Sequence, residues 1–204
     1  MNLNARSVKP ILEKAKNCSD QATGHITTHL LQPAGEFPNS IWPLMVYHGA
    51  VAVFGDDPAA RFESLFQKNQ WTDCWRNGIY SYHHFHSTSH EVLGIYKGSA
   101  TVQFGGPEGI LLHVKARDVV VIPAGIAHKN LSATGDFGVV GAYPEGFEPN
   151  MNYGKPEEHP RVDQQIRHVT IPLADPVYGL KGPLFRYWSA PKFLRTCAGP
   201  VSFG

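Results

Sequence analysis

Apolar residues in this chain come mostly in short alternating or continuous runs, and one stretch repeats at helical spacing. Phe62, Leu65 and Phe66 follow Asp57-Pro58, an N-cap residue with proline at the first helical position, which predicts a helix over 58–69. Before it, residues 1–20 predict a short amphipathic helix with Ile11 and Leu12 as its apolar contacts. His25–Leu31 predicts a strand, and Pro33–Ser40 a loop. Ile41–Phe54 is apolar and β-prone but interrupted by Pro43 and Gly49, which predicts one or two strands. After Trp71 the pattern turns to strands and turns: Ile79–His86, Val92–Tyr96, Thr101–Phe104, Ile110–Val114, Val119–Ile122, His128–Leu131 and Phe137–Tyr143. Gly105-Gly106-Pro107-Glu108 reads as the turn of a hairpin. Short strands at this density predict a sandwich or small barrel.

The organisation follows from the same pattern. Residues 1–70 supply N-terminal strands and a helix, 71–143 the strand-rich core. Residues 144–204 carry nine prolines and little periodicity until Leu184–Trp188. That stretch reads as a Pro-rich C-terminal tail wrapping the barrel, so 1–204 is expected to be a single domain.

Composition narrows the function classes. Apolar residues at 42% support a real core, while Gly 20 and Pro 16 rule against a coiled coil or helical repeat array. The net charge is +1 with no Lys/Arg block, so no nucleic-acid partner is expected. The best apolar run, Val119–Ala127, is broken by Pro123 and Gly125, so no membrane span is expected. Met1–Lys16 lacks a continuous apolar segment, which argues against a secretory signal. Cys18, Cys74 and Cys197 form no C-x-x-C pattern and fit a reducing cytoplasm.

Histidine is the chemical outlier. There are 11, and four of them fall between positions 83 and 90. On a strand, residues two apart share a face, so His84 and His86 present both imidazoles to one side. Ser87-Thr88-Ser89-His90 is turn-like, and a hairpin there returns Glu91 to the same face. Pro123-Ala124-Gly125 makes a sharp turn that delivers His128 inward. Nitrogen and carboxylate donors in this mixture suit one divalent transition metal.

These residues resemble a known family. Gly78, His84-x-His86, Glu91 and Gly98 reproduce the first cupin motif, and Pro123-x-Gly125-x-x-His128 the core of the second. More narrowly, Trp75-Arg76-Asn77-Gly78, Val92–Gly98 and Asn152-Tyr153-Gly154-Lys155-Pro156 are similar to the YjlB-like single-domain cupins. The resemblance implies an all-β fold, a small antiparallel β-barrel or jelly roll with a few short helices. It implies a metal (Fe, Mn, Ni or Zn) held in the barrel mouth by His84, His86, Glu91 and His128, and a homodimer. It brings no settled reaction. Two positions depart from the pattern: Arg117 replaces a turn glycine, and Ser132 an asparagine. Arg117 is expected to use a different turn or to bear strain.

Around that set, Tyr80 and Tyr82 share the strand parity of His84 and are expected to face inward. Tyr143 ends a late strand and reaches toward the mouth, and Asn130 has the parity of His128. These four are the candidate substrate contacts, weighed against ordinary packing. Glu91, as a labile carboxylate ligand, and His90 beside it are the candidate catalytic groups. His83 is expected to face outward, His25 and His29 to be structural, and Cys74 a structural thiol. The function expected is that of a small-molecule metalloenzyme, a dioxygenase or a sugar-type isomerase. A non-catalytic ligand-binding module and a metal-free epimerase are the alternatives.

Overall fold

The computed structural model describes residues 25–189, and the helix expected over 1–20 lies outside them. Among the described residues nine strands form two antiparallel sheets. The strands are β1 (Ile26–His29), β2 (Leu44–Tyr47), β3 (Trp71–Asn77), β4 (Glu91–Lys97), β5 (Ser99–Phe104), β6 (Ile110–Lys115), β7 (Val119–Ile122), β8 (His128–Ala133) and β9 (Gly138–Pro144). One sheet has six strands in the order β1-β2-β7-β4-β9-β3, and the other has three in the order β6-β5-β8. The helices are α1 (Pro58–Lys68), α2 (Arg161–His168) and α3 (Leu184–Tyr187). None of the described helices is long and apolar enough to cross a membrane.

The two sheets enclose the first core. Leu44, Val46, Leu93, Ile95, Val120 and Ile122 face Val102, Phe104 and Val114 across it. The six-stranded sheet also buries its other face. There Met45, Tyr47, Val92, Val119, Val121 and Val140 pack against Phe62 and Phe66 of α1 and against Leu184 and Trp188. Burial on both faces explains why β2, β7 and β9 are buried at every residue. β5 of the smaller sheet alternates instead.

Helix α1 starts where Asp57 and Pro58 place it, with the Asp57 carboxylate accepting from the Ala60 N–H at 3.3 Å. Of the one or two strands expected over Ile41–Phe54, one forms, β2, ended by a left-handed turn at Gly49. The strand expected over Ile79–His86 is mostly irregular, with ladder pairing only at His84 and Phe85. The regular strand comes earlier, as β3. Its pattern is scrambled by a bulge between Thr72 and Trp75, with Asp73 at φ 53°, so Trp71 faces the outer core and Trp75 the inner one. Helix α2 has too few apolar positions to show a period, but Val162 and Ile166 pack on Phe37, Phe85 and Ala127.

Candidate metal centre

His84, Phe85 and His86 form a short extended segment held from both sides. His84 exchanges main-chain hydrogen bonds with His128 (3.3 and 2.9 Å), and Phe85 does so with Asn152 (2.9 and 3.0 Å). Alternation then puts Phe85 outward under α2 and both imidazoles inward. Glu91 opens β4 and pairs with Ile122, which carries it to the same inner face as Leu93. His128 opens β8 after the turn at Gly125, whose N–H donates to the His86 carbonyl at 2.8 Å. Gly125 sits at φ 95°, and a Cβ there would stand 2.2 Å from the Asn39 carbonyl oxygen, so only glycine fits. The four side chains line one cavity of about 270 Å³ at the barrel mouth.

The polar atoms of these side chains converge. Glu91 Oε2 lies 3.5 Å from His86 Nε2 and 3.3 Å from His128 Nε2. Two ligands of one ion at bond lengths of about 2.1 Å stand roughly 3.0–3.4 Å apart, so these spacings are close to those of a shared ion. Oε2 is fully buried and accepts no hydrogen bond. The Nδ1 atoms of His84 and His128 face the Tyr82 and Ile126 carbonyls at 3.4 and 3.5 Å, and that of His86 faces the Asn150 carbonyl. Nδ1–H donated to a carbonyl leaves the Nε2 lone pair free, the usual way a ligating histidine is oriented. Among the described residues, no group of three or more His, Cys, Asp or Glu side chains meets metal-holding geometry as it stands. The fit is therefore one of donor chemistry and an orphaned buried oxygen, not of a closed shell.

Electrostatics follow from burial and proximity. Burial and the neighbouring His128 push His84 down to about 3, so this imidazole is neutral. Burial opposes a charge on His86, but the Glu91 carboxylate and the Asn150 carbonyl hold it above the ordinary value. Burial likewise opposes a charge on Glu91, yet His86 and His128 keep it well below the usual carboxylate range.

The other candidates separate. Tyr143 lines the cavity edge-on to His86, with ring centroids 5.7 Å apart. Its hydroxyl accepts from Trp75 Nε1–H at 3.0 Å, which leaves its own proton for an acceptor in the cavity. Burial and the Glu91 charge raise its pKa and keep it a donor. Tyr80 also lines the cavity, but Tyr80 and Tyr82 are both 44% exposed and stack on each other at the rim rather than deep in the barrel. Tyr82 belongs with His83 to a separate surface depression, because residues 78–83 do not hold strand parity. Asn130 is not on the cavity wall; its N–H donates to the Tyr80 carbonyl at 2.8 Å.

His90, a candidate catalytic group weighed against a structural role, does not line the cavity. One residue before Glu91, it points to the opposite face and packs on Trp188 at 4.7 Å. Its Nδ1 accepts from the Ala124 N–H at 2.9 Å, so its Nε2–H donates to the Thr170 carbonyl at 3.2 Å. Both nitrogens are occupied and burial lowers it to about 4, which makes it a structural tie. His48 is likewise paired, with Thr27 Oγ1 at 3.0 Å. Arg117 takes the strained alternative, φ 83° in the left-handed region.

Asn150 and Met151 were not singled out by sequence reasoning, and Trp75 entered it only through the Trp75–Gly78 segment, not as a site residue. Asn150 holds His86 through its carbonyl while its side-chain Oδ1 accepts from the Ser87 N–H at 2.8 Å. Met151 lines the mouth, so part of the C-terminal region does reach the cavity. The local signal was the neighbouring Asn152–Pro156 segment, which carries no chemistry by itself.

No family model matches the chain. It is 38% identical over 162 residues to the uncharacterized protein YjlB of Bacillus subtilis (strain 168), covering 79% of this chain and 95% of that one. Among solved structures it is similar to the dTDP-6-deoxy-D-glucose-3,5-epimerase RmlC of Legionella pneumophila Philadelphia 1, at 15% identity and a TM-score of 0.33 over 61% of this chain and 74% of that one. It is also similar to a cupin 2 domain-containing protein of Halorhodospira halophila, at 12% identity and a TM-score of 0.32 over 76% and 89%. Overlaps this slight say nothing of activity. The relative from Bacillus subtilis, with the two motifs and the two-sheet β fold that joins them, makes this chain a member of the cupin superfamily and of its YjlB-like group.

Proposed function

We propose that His84, His86, Glu91 and His128 hold one divalent transition metal, and that the protein is a metalloenzyme for a small oxygen-bearing organic molecule. The observation that carries this is Glu91 Oε2, buried without a hydrogen bond between two imidazole nitrogens. A carboxylate oxygen left so is costly unless a cation completes it. A bound divalent ion would polarise a carbonyl or hydroxyl oxygen of the substrate, or activate water. The chain's own residues divide the remaining work. Asn150 fixes the His86 ring, Trp75 fixes the Tyr143 phenol, and Tyr143 donates its hydroxyl proton as a hydrogen bond to a substrate oxygen. Leu93, Ile79 and Met151 give that oxygen an apolar surround.

Two reaction classes fit: oxidation of the substrate by dioxygen, and isomerisation of a keto/hydroxy compound. Elemental analysis of untagged protein purified without added metal tests the reading, with His86→Ala beside it. Near-stoichiometric Fe, Mn, Ni or Zn that is lost in the variant is the expected result. Oxygen uptake then separates the two classes. A folded protein that takes up no metal on anaerobic reconstitution overturns the reading and turns attention to metal-free acid–base chemistry at Tyr143.

A further inference from the structure

On the metal reading above, on which this assignment rests, three neutral imidazoles, Glu91 and a divalent ion leave the cavity with about one net positive charge. That single charge can balance one anionic ligand atom and no more. The described wall offers no further free positive charge. Among the described residues it holds one basic residue besides the histidines, Arg76. The Arg76 guanidinium is committed to α1. It donates to the Asp57 carboxylate through Nη1 and Nη2 at 3.0 and 2.9 Å, and to the Glu63 carboxylate through Nε and Nη2 at 2.6 and 2.8 Å. Two carboxylates on one guanidinium leave that cluster net negative, so it repels an anion at the rim. Lys155 stands over Tyr153 at 5.6 Å, in the separate depression that also holds Tyr82 and His83. Trp75, Ile79, Leu93, Tyr80 and Met151 make much of the rest of the wall apolar or aromatic.

We propose that this cavity takes small ligands with at most one negative charge, placed at the ion, and rejects those with a second carboxylate or a phosphate. Enols, phenols, hydroxy-ketones and monocarboxylates qualify, whereas phosphorylated and dicarboxylic compounds do not. A second anionic group would lie in a cavity of about 270 Å³ with no counter-ion among the described residues. Its lost hydration would go uncompensated, and specificity of this kind comes from the penalty against the wrong ligand.

The test uses three chelators with one metal-binding head: picolinate, pyridine-2,5-dicarboxylate and 5-carbamoylpicolinate. Each is titrated calorimetrically into Zn(II)-loaded protein whose metal content has been measured. The dicarboxylate is expected to bind at least about tenfold more weakly than the other two. Met151→Lys, which sets a cation at the mouth, is expected to recover most of that loss. A dicarboxylate as tight as picolinate in the loaded protein overturns the charge selection alone. So does a carbamoyl compound as weak as the dicarboxylate, which would make the effect one of size. Unchanged discrimination in folded, loaded Met151→Lys protein also counts against it. A protein that takes up no Zn(II) overturns the metal reading and this proposal together.

Discussion

The two faces of the six-stranded sheet treat buried polar groups in opposite ways. On the outer face they are satisfied. Asp175, with no exposure, accepts from the Tyr47 hydroxyl at 2.7 Å and from the N–H groups of Val177, Tyr178 and Leu184 at 2.8, 2.9 and 3.0 Å. Trp71 and Trp188 donate their indole N–H groups to the Ala174 and Pro43 carbonyls, both at 2.9 Å. His90 uses both ring nitrogens. On the inner face, Glu91 Oε2 makes no well-formed hydrogen bond although it is equally buried, and the His86 and His128 ring nitrogens stand beside it at 3.5 and 3.3 Å. Burial alone therefore does not mark function here. His90 and Glu91 are adjacent in sequence and both buried, and the difference between them is whether the polar atoms are spoken for.

That contrast can be broken from the outer side with the largest effect. Asp175→Ala takes the acceptor from four donors, two of them in fully buried hydrogen bonds, and is expected to cost about 3 kcal/mol or more of stability in urea unfolding. The protein that remains folded should keep the metal content of the wild type. Loss of metal at unchanged stability would dissolve the distinction between the faces.

The inner face is expected to show itself in pH. His86 must shed a proton before its Nε2 can bind an ion, and Glu91 holds that proton on above the ordinary imidazole value. His84, pushed down to about 3, has none to shed near neutrality. Metal affinity should therefore rise with pH, by up to about tenfold per unit below the His86 pKa, and level off above it. A competition titration run from about pH 5.5, below the ordinary imidazole value, upward to about pH 8.5 reads the slope. A flat profile would remove His86 from the ligand set.

The smallest effect lies away from both faces. Arg117 occupies a left-handed conformation at φ 83°, with its N–H donating to the Ile95 carbonyl at 2.8 Å. Arg117→Gly should relieve the strain and raise stability by about 0.5–1 kcal/mol in the same urea assay. A loss of stability would mean that the side chain supports the turn.

Which parts of the molecule could be read in advance follows from the range of the interactions involved. Asp57-Pro58 capping α1, the runs that became β4 to β9, and the shared facing of His84 and His86 rest on nearby residues, whereas the pairing that brings His128 to them is a chain crossing. Strand alternation puts two histidines on one side, a proline-glycine turn aims a third, and each holds over a few residues whatever surrounds them. The single-residue bulge at Asp73 hid β3, because one extra residue inverts the pattern on either side of it. Helix α2 forms on Phe37, Phe85 and Ala127, far away in sequence, and its own residues carry little of that. Likewise the Trp75–Tyr143 hydrogen bond spans β3 and β9, and Asn150 meets His86 across 64 residues.

Residue chemistry and local spacing were thus enough for the class of fold, the helix α1 and the four candidate side chains that line the cavity. Only chain crossings could settle which buried polar groups are satisfied, because a hydrogen-bond partner is supplied by whatever strand or loop arrives from elsewhere. His90 finds Ala124 and Thr170, Asp175 finds Tyr47, and Glu91 Oε2 meets only the ring nitrogens of His86 and His128, with no well-formed hydrogen bond.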